Sequence, residues 1–307
     1  MGDVPAIDCD GLTKRFGELT ALDGLTLEVP RGQVFGFLGP NGAGKSTTLR
    51  LLLGLIRPTA GSARVLGVDV GDRRGAHRHL AYVPGDVSLW PKLTGAECLD
   101  LFARLRGGVD ETYRTELIER FQLDLDRRSR TYSKGNRQKV ALVAAFATRA
   151  EVLLLDEPTS GLDPLMEQQF QRCVREATER GQTVFLSSHI LSEVEDLCSR
   201  VGILRRGQLV EVSEIEQLRT MHSTELEVDF NGPPPDLSGV EGVTGIEPTP
   251  EGLRLRLAGP PRAVLAALAA TDVVAVRTRE ASLEEIFLAY YGDTDDEVAG
   301  GDIDVHR

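Results

Sequence analysis

Several features that define other classes of protein are missing from this sequence of 307 residues. Its four cysteines, at positions 9, 98, 173 and 198, have neither the spacing of metal ligands nor that of a disulfide framework, as is typical of proteins in a reducing cytosol. No apolar run approaches the length of about 18 residues that a membrane span needs, and the first residues do not have the pattern of a signal peptide. We therefore expect a chain that neither crosses a membrane nor depends on disulfides.

An excess of basic residues is missing too, since the formal net charge is −12. Nucleic acid is not expected as a partner, because its phosphates attract basic surfaces. Part of the acidity lies in residues 293–307, where aspartates stand among glycines, and this composition predicts a disordered acidic tail. Internal repeats are absent. The length and a hydrophobic share of 41% predict two domains with packed cores.

The most informative segment present is 39–47, which matches the phosphate-binding pattern G-x-x-x-x-G-K-[ST]. A buried strand is predicted before it at 34–38 and a helix after it at 47–55, which is the context that the pattern requires. The glycines let backbone N–H groups turn toward phosphate oxygens, and the helix N-terminus favours the same anion. We expect the nucleotide along Gly39, Pro40, Asn41, Gly42, Ala43, Gly44, Lys45, Ser46 and Thr47.

Two side chains of this loop carry specific chemistry. Lys45 supplies a positive charge for the β- and γ-phosphates, and Ser46 offers a hydroxyl to Mg²⁺. The alternative is a glycine-rich turn that binds nothing, but such a turn does not require the strand and helix on either side.

Apolar patterning predicts a β-rich N-terminal part followed by helices. Strands are expected at 6–14, 25–29, 61–66 and 79–83, with a turn at Phe16-Gly17. Thr94 and Glu97 have the spacing of a capping box, and Asp110 begins a second helix that ends near Phe121. We therefore expect a helical subdomain at about 84–135 inserted between parallel strands of an α/β core.

A second group of polar residues follows two further predicted strands. The apolar strand 152–155 ends in Asp156 and Glu157, and His189 follows the strand 184–187. Ligands of open α/β sheets bind at such carboxyl ends of strands. The bland alternatives are that the two carboxylates cap loop N–H groups and that the histidine is structural. Ser133, ahead of a helix near 134–146, is expected as its N-cap and as part of an anion site with Gly135.

The remainder, 221–292, predicts a small α+β domain without a catalytic constellation. Strands are expected at 225–230, 253–257 and 273–276, and helices at 261–270 and 281–291. The apolar face of the last helix is expected to pack in the core, the alternative being a groove for a partner.

Taken in order, these segments resemble the ATP-binding subunit of ABC transporters over about residues 6–218. Segment 39–47 is similar to the phosphate loop of that family, 133–136 to its signature motif, 152–157 to its Mg²⁺ strand, and 160–163 to its D-loop. His189 resembles the switch histidine. Phe16 occupies the place of an aromatic residue that stacks on adenine, with ordinary packing as the alternative. The implied fold is a P-loop NTPase core with a β-rich N-terminal part and a helical subdomain, at 1–220.

The resemblance also implies roles and partners. ATP and Mg²⁺ are the expected cofactors, with Asp156 and Ser46 holding the metal. Glu157 would polarise the attacking water and His189 would sense the γ-phosphate. Ser133 and Gly135 would face the nucleotide of a second copy, so that ATP joins two copies.

Two stretches, 82–91 and 132–140, resemble the actinobacterial branch linked to antibiotic and drug efflux, and 282–287 resembles the end of an accessory domain of bacterial exporter subunits. A separate transmembrane permease is therefore expected as partner, and through it this chain is expected to be peripheral at the cytoplasmic face of the cell membrane. The alternative function is a soluble ABC-type mechanical ATPase in translation or DNA maintenance. Members of those groups usually carry two cassettes or long coiled coils, and this chain has neither.

Two departures from the family pattern stand out. Pro84 is followed by Gly85 and Asp86, where the family usually has a glutamine that reaches Mg²⁺ and the attacking water. Lys134 and Asn136 replace the usual glycine and glutamine of the signature. The sequence leaves open whether Lys134 brings positive charge toward the nucleotide of the second copy or points away from it.

Overall fold

The structure is a computed structural model that describes residues 4–221, 224–257, 261–279 and 283–292. The chain divides into two compact units, Met1–Val212 and Ser213–Arg307. The C-terminal domain predicted at 221–292 begins somewhat later than the second unit. The difference arises because a short helix, Ile215–Met221, belongs to that unit and is not predicted by the sequence pattern. The acidic segment 293–307 lies outside the described residues.

The first unit alternates strands and helices. Its elements, in chain order, are β1 (Ile7–Phe16), β2 (Leu19–Val29), β3 (Val34–Leu38), α1 (Lys45–Leu52), β4 (Ala60–Val65), β5 (Val68–Asp69), α2 (Arg73–His77), β6 (Leu80–Val83), α3 (Gly95–Arg106), α4 (Glu111–Arg120), a 3-10 turn (Ser129–Thr131), α5 (Lys134–Ala147), β7 (Val152–Asp156), α6 (Pro164–Glu179), β8 (Thr183–Ser188), α7 (Leu191–Leu197), β9 (Arg200–Arg205) and β10 (Gln208–Glu214).

A six-stranded sheet in the order β10-β9-β3-β8-β7-β6 forms the centre of this unit. β3 pairs in parallel with β8 and β9, and β7 pairs in parallel with β6 and β8. Every residue of β3, β7 and β8 is buried, which explains their continuous apolar runs. The predicted α/β core is confirmed, and the parallel register brings the carboxyl ends of β3, β7 and β8 to one edge.

A four-stranded antiparallel sheet, β2-β1-β4-β5, supplies the β-rich N-terminal part. β2 begins at Leu19 and not near residue 25, because register shifts let its exposed first residues pair with β1 without alternating polarity. β5 and α2 are too short and polar to leave a periodic signal. The hydrophobic core lies between the sheets and includes Phe35 and Phe185, whose rings stack at 5.7 Å.

Capping residues set the ends of the helices. The predicted capping box at α3 is confirmed, with Thr94 and Glu97 each accepting a backbone hydrogen bond from the other. Asp110 caps α4 by accepting from the N–H of Tyr113 at 2.9 Å. α1 begins at Lys45, before the predicted start at residue 47, because Gly44 at its N-cap adopts φ of 115° and turns the chain directly into the helix.

The second unit is a small α+β fold. It contains α8 (Ile215–Met221), β11 (Thr224–Phe230), β12 (Val243–Pro248), β13 (Gly252–Leu257), α9 (Arg262–Leu268), β14 (Val273–Arg279) and α10 (Leu283–Gly292). The strands form an antiparallel sheet in the order β12-β13-β11-β14. α8 and β12 are not predicted from the sequence, because neither has a clear apolar period.

One face of this sheet is apolar and packs with α9. Val228, Leu255 and Val264 belong to the same buried cluster. The other face carries cross-strand ion pairs such as Arg277–Asp229 at 2.9 Å. On α10, Leu283 and Ile286 are fully buried, as expected of a packed face.

Candidate nucleotide site

The loop between β3 and α1 has the backbone geometry of a phosphate site. Gly42 and Gly44 adopt positive φ values of 83° and 115°, which side chains disfavour. A Cβ atom on Gly44 would lie 2.6 Å from the carbonyl oxygen of Ala21, and one on Gly39 would lie 2.6 Å from that of Leu204. Glycine is therefore required by contact and by conformation at Gly44, by conformation at Gly42 and by contact at Gly39.

The ammonium group of Lys45 is buried at the first turn of α1. Its Nζ donates to the carbonyl oxygens of Gly39 at 2.5 Å and Pro40 at 3.1 Å. Burial lowers the pKa of Lys45, and the charges of Glu157 and Asp156 act in the opposite direction. A buried ammonium group close to carboxylates is suited to bind a phosphate. The negative phosphate stabilises the charged form of the lysine, which burial disfavours.

Asp156 is buried at the end of β7, where it faces the hydroxyl of Ser46. Burial raises the pKa of Asp156, and the neighbouring hydroxyl of Ser46 opposes this effect. Within the described residues no group of three or more histidine, cysteine, aspartate or glutamate side chains forms a metal cluster. A carboxylate and a hydroxyl fit Mg²⁺, which prefers oxygen ligands and usually keeps several waters and substrate phosphates as its other ligands.

Glu157 and His189 meet at the mouth of this site. Nδ1 of His189 lies 3.0 Å from Oε1 of Glu157, and both side chains remain partly exposed. Glu157 adopts a positive φ of 46°, and its N–H donates to the carbonyl oxygen of Ser187 at 2.8 Å. This strained turn directs the carboxylate toward solvent beside the loop.

A pocket of about 290 Å³ lies along the phosphate loop and reaches Glu157, whereas Asp156 and His189 are not among its lining residues. It is lined by Phe16, Leu19, Ala21, Asn41, Gly42, Gly44, Lys45, Ser46, Thr47 and Glu157. Phe16 is 48% exposed and Nζ of Lys14 lies 4.9 Å from its ring centroid, so this residue is not part of the core. Leu19 and Ala21 were not among the predicted residues, because the sequence gives no sign that β2 returns beside the loop.

Ser133 and Gly135 are not brought into this pocket. Both lie at the N-terminus of α5, where the Ser133 hydroxyl accepts from the N–H of Asn136 at 3.2 Å, as expected of an N-cap. Gly135 lies so close to the D-loop that a Cβ would be 2.3 Å from the carbonyl oxygen of Gly161. Ser133 is therefore exposed on a second surface of the same unit, whereas Gly135 is buried beneath the D-loop.

The structure also resolves the orientation of Lys134. Its Nζ donates to Oγ of Ser160 at 2.5 Å, and its methylene groups pack 3.3 Å from the position of a Cβ on Gly161. From the same helix, Nε2 of Gln138 donates to the carbonyl oxygen of Pro158 at 2.9 Å. Lys134 thus ties α5 to the chain segment that follows Glu157.

A separate groove of about 850 Å³ lies beside the Gly85 loop. Its lining is mostly apolar and includes Leu89 and Phe102, with the exposed residues Arg73, Arg74 and Arg78 at α2. Trp90, the one tryptophan of the sequence, is 46% exposed and its ring lies 5.8 Å from that of Phe102.

Among the described helices, none combines the length and apolarity that a bilayer crossing requires.

Comparison with known proteins gives consistent matches. The family model "ABC transporter" matches residues 22–160. The daunorubicin/doxorubicin resistance ATP-binding protein DrrA of Streptomyces peucetius is 36% identical over 94% of this chain and 92% of its own length. The bacitracin transport ATP-binding protein BcrA of Enterococcus faecalis is 34% identical over 73% of this chain and 74% of its own.

Other matches are partial or structural. The probable multidrug ABC transporter ATP-binding protein YbhF of Escherichia coli is 36% identical, but the matching part spans only 39% of its length. A solved structure described as an ATP-binding subunit of an ABC transporter superposes with a TM-score of 0.66 at 31% identity, over 70% of this chain and 92% of that one.

Proposed function

Because the chain belongs to the family of ABC transporter ATP-binding proteins, we propose that it hydrolyses ATP to ADP and phosphate and thereby powers a membrane exporter. The observation that carries this proposal is the contact of 3.0 Å between Glu157 and His189 at the edge of the phosphate-loop pocket. A histidine with a structural role would be buried, with its ring nitrogens hydrogen-bonded inside the core. His189 is instead half exposed and faces a carboxylate.

Phosphoryl transfer requires mainly positioning and charge stabilisation. The N–H groups of the loop and the buried ammonium of Lys45 bind the phosphates, and Phe16 stacks on the base. Ser46 and Asp156 would hold Mg²⁺, which supplies positive charge against the phosphate oxygens when bound.

Glu157 and His189 act on the reacting atoms. The Glu157 carboxylate orients the attacking water and accepts its proton, since it is the carboxylate that lines the pocket. His189 donates toward the γ-phosphate and returns to Glu157 when that phosphate leaves. Their direct contact makes the pair responsive to the presence of the γ-phosphate.

The surface at the N-terminus of α5 completes the site of a second copy of the chain. Ser133 and Gly135 do not line the pocket of their own chain, yet a hydroxyl and backbone N–H groups at a helix N-terminus suit an anion. ATP bound between two copies would join them, and hydrolysis would release them.

The permease partner docks in the groove beside Gly85. Apolar walls with exposed arginines at one side suit an amphipathic cytoplasmic segment that carries carboxylates. The relatives named for resistance to daunorubicin and doxorubicin and for bacitracin transport favour antibiotics or drugs as the exported class. The chain would then work at the cytoplasmic face of the membrane through this partner.

Glu157→Gln tests the hydrolytic role. The amide keeps the shape of the side chain but cannot take a proton, so MgATP should still bind while turnover falls by about 10²–10⁴-fold. Size-exclusion chromatography with ATP should reveal a trapped dimer. Glu179→Gln is the matched control, because it replaces a carboxylate by an amide at an exposed position at the end of α6. Near-normal turnover of Glu157→Gln would contradict the assignment.

The partner is tested by co-purification from membranes with mass spectrometry, where a polytopic protein should be recovered. Docking can also be followed by the fluorescence of this chain, because Trp90 is its only tryptophan and lies against Phe102 of the groove. We expect the fluorescence of Trp90 to change when the partner is added. Replacement of Arg74 by glutamate should weaken docking and make this change smaller.

A further inference from the structure

Glu193 of α7 is a buried carboxylate that pairs with no arginine or lysine of the described residues. It is 7% exposed. In the part of the chain that the structure describes, no arginine or lysine lies within ion-pair distance of it. Its partners are two hydroxyl groups. Oγ1 of Thr159 donates to Oε1, and Oγ of Ser188 donates to Oε2 at 2.9 Å.

The cost of this arrangement argues against a purely structural role. A buried charge loses hydration, and hydroxyl donors return only part of that energy. An uncharged side chain of similar volume would fill the same space with a smaller desolvation penalty. Burial in fact raises the pKa of Glu193, while the two hydroxyl hydrogen bonds act in the opposite direction.

The two hydroxyl groups belong to the segments that carry the reacting pair. Thr159 is two residues beyond Glu157, in a turn where the N–H of Ser160 donates to the carbonyl oxygen of Glu157 at 3.1 Å. Ser188 directly precedes His189, and its Oγ also accepts from the N–H of Ile190 at 3.0 Å. One carboxylate therefore spans the ends of β7 and β8.

We propose that Glu193 is a positioning residue that holds Glu157 and His189 in contact by tying together the chain segments on which they stand. This inference rests on the proposed ATPase function. Glu193 itself does not line the pocket, so it acts through Thr159 and Ser188 and touches neither nucleotide nor water.

Glu193→Gln is the informative variant. The amide has the same shape and no charge. It replaces two charge-assisted hydrogen bonds by weaker neutral ones, one of which requires a hydroxyl to turn round and accept, so the connection between the two segments is weakened. We expect kcat to fall about tenfold, because small displacements of reacting groups are costly. MgATP affinity should stay within about threefold of wild type, since no binding residue is changed. The melting temperature of the nucleotide-free protein should be unchanged or higher, because a buried charge is removed.

Further variants separate positioning from stability. Asp196→Asn, an exposed change on the same helix, is the control and should leave kcat, affinity and melting temperature at their wild-type values. Thr159→Val should lower kcat in the same way as Glu193→Gln. The double variant should lose less than the sum of the two single losses, because both changes act on the hydrogen bond between Thr159 and Glu193. Additive losses would overturn the proposal.

A spectroscopic readout does not depend on activity. His189 is one of five histidines. Thr159→Val leaves the charge of Glu193 in place, and it should shift the imidazole signals of His189 in the NMR spectrum of the nucleotide-free protein while Asp196→Asn should not. His189→Gln identifies the signal.

Failure of this inference is distinguishable from failure of the proposed function. If wild type hydrolyses MgATP, Glu157→Gln does not, and Glu193→Gln retains wild-type kcat, the positioning role is overturned. A parallel loss of melting temperature, affinity and kcat in Glu193→Gln would also overturn it and indicate a structural role. If wild type and Glu157→Gln are both inactive, the proposed function itself fails.

Discussion

Replacing Arg120 by methionine should destabilise the first unit, because this side chain connects α4 of the helical insertion to α6 of the core. The Arg120 side chain is 13% exposed and Nη1 donates to Oε2 of Glu176 at 2.9 Å. Nη2 bonds the carboxylate of Glu116 on its own helix. Methionine preserves most of the aliphatic packing and removes the charge, so the variant isolates the polar interactions.

The magnitude follows from the exposure of the partners. Hydrogen bonds to charged groups contribute about 1.5–3 kcal/mol. The Glu176 side chain is 22% exposed and that of Glu116 is 51% exposed, so solvent weakens the second bond and we take about 2 kcal/mol in total. At about 2–4 °C per kcal/mol for a domain of this size, the melting temperature should fall by about 4–8 °C.

The effect should depend on pH in a defined direction. Burial acts to raise the pKa of Glu176, but the hydrogen bond and charge of Arg120 outweigh it, so the pKa lies below its ordinary value of 4.5. A carboxyl group whose pKa is lowered on folding stabilises the protein above its unfolded pKa, and the contribution is lost as the pH falls through the folded value. The difference between wild type and Arg120→Met should be complete at pH 7 and shrink below pH 4.5.

Differential scanning fluorimetry across this pH range provides the assay. Arg172→Met is the matched control, because Nε of Arg172 bonds the same carboxylate at 3.0 Å while its side chain is 64% exposed. An exposed pair of this kind contributes at most about 0.5 kcal/mol. Equal losses from both variants, or a loss from Arg120→Met that does not change with pH, would refute the reasoning.

Three further predictions concern the nucleotide site. Lys45→Ala should weaken nucleotide binding about tenfold to over a hundredfold by calorimetry, because a charge-assisted contact of about 1.5–3 kcal/mol is removed, and unchanged affinity would exclude its role. Asp86→Ala should change basal turnover by less than about twofold because the residue is exposed, whereas Gly85→Gln should raise it. Gly85→Ala controls for crowding, since a Cβ there would lie 3.2 Å from the carbonyl oxygen of Asp156. Lys134→Met and Ser160→Ala should show a coupling of about 0.5–1.5 kcal/mol in a double-mutant cycle of unfolding, and additive effects would exclude their hydrogen bond.

The fold was predictable wherever local chemistry specifies it. β3 was predicted at the residues that the structure shows, because a buried parallel strand is continuously apolar and ends at a glycine-rich loop. The start of α3 was equally clear from its capping box. β12 and α8 were missed, since their residues are stabilised by neighbours that are distant in sequence and carry no period of their own.

The orientations of individual side chains could not be predicted in the same way. The sequence allows two orientations of Lys134, and its bond to Ser160 depends on how α5 packs beside the D-loop. Glu193 gave no signal at all, because a glutamate in an acidic helix is ordinarily a solvent-exposed residue and only its burial sets it apart.

The phosphate loop, the α/β core and the family resemblance follow from the sequence alone, because each rests on residue types that a local backbone conformation demands. In contrast, the pairing of β7 with β8 arises only when the chain packs, and it brings Glu157 to within 3.0 Å of His189, 32 positions away. The same packing decided that Glu193 joins the ends of these two strands. Which strands are neighbours depends on how whole faces pack together, and no single segment of the sequence carries that information.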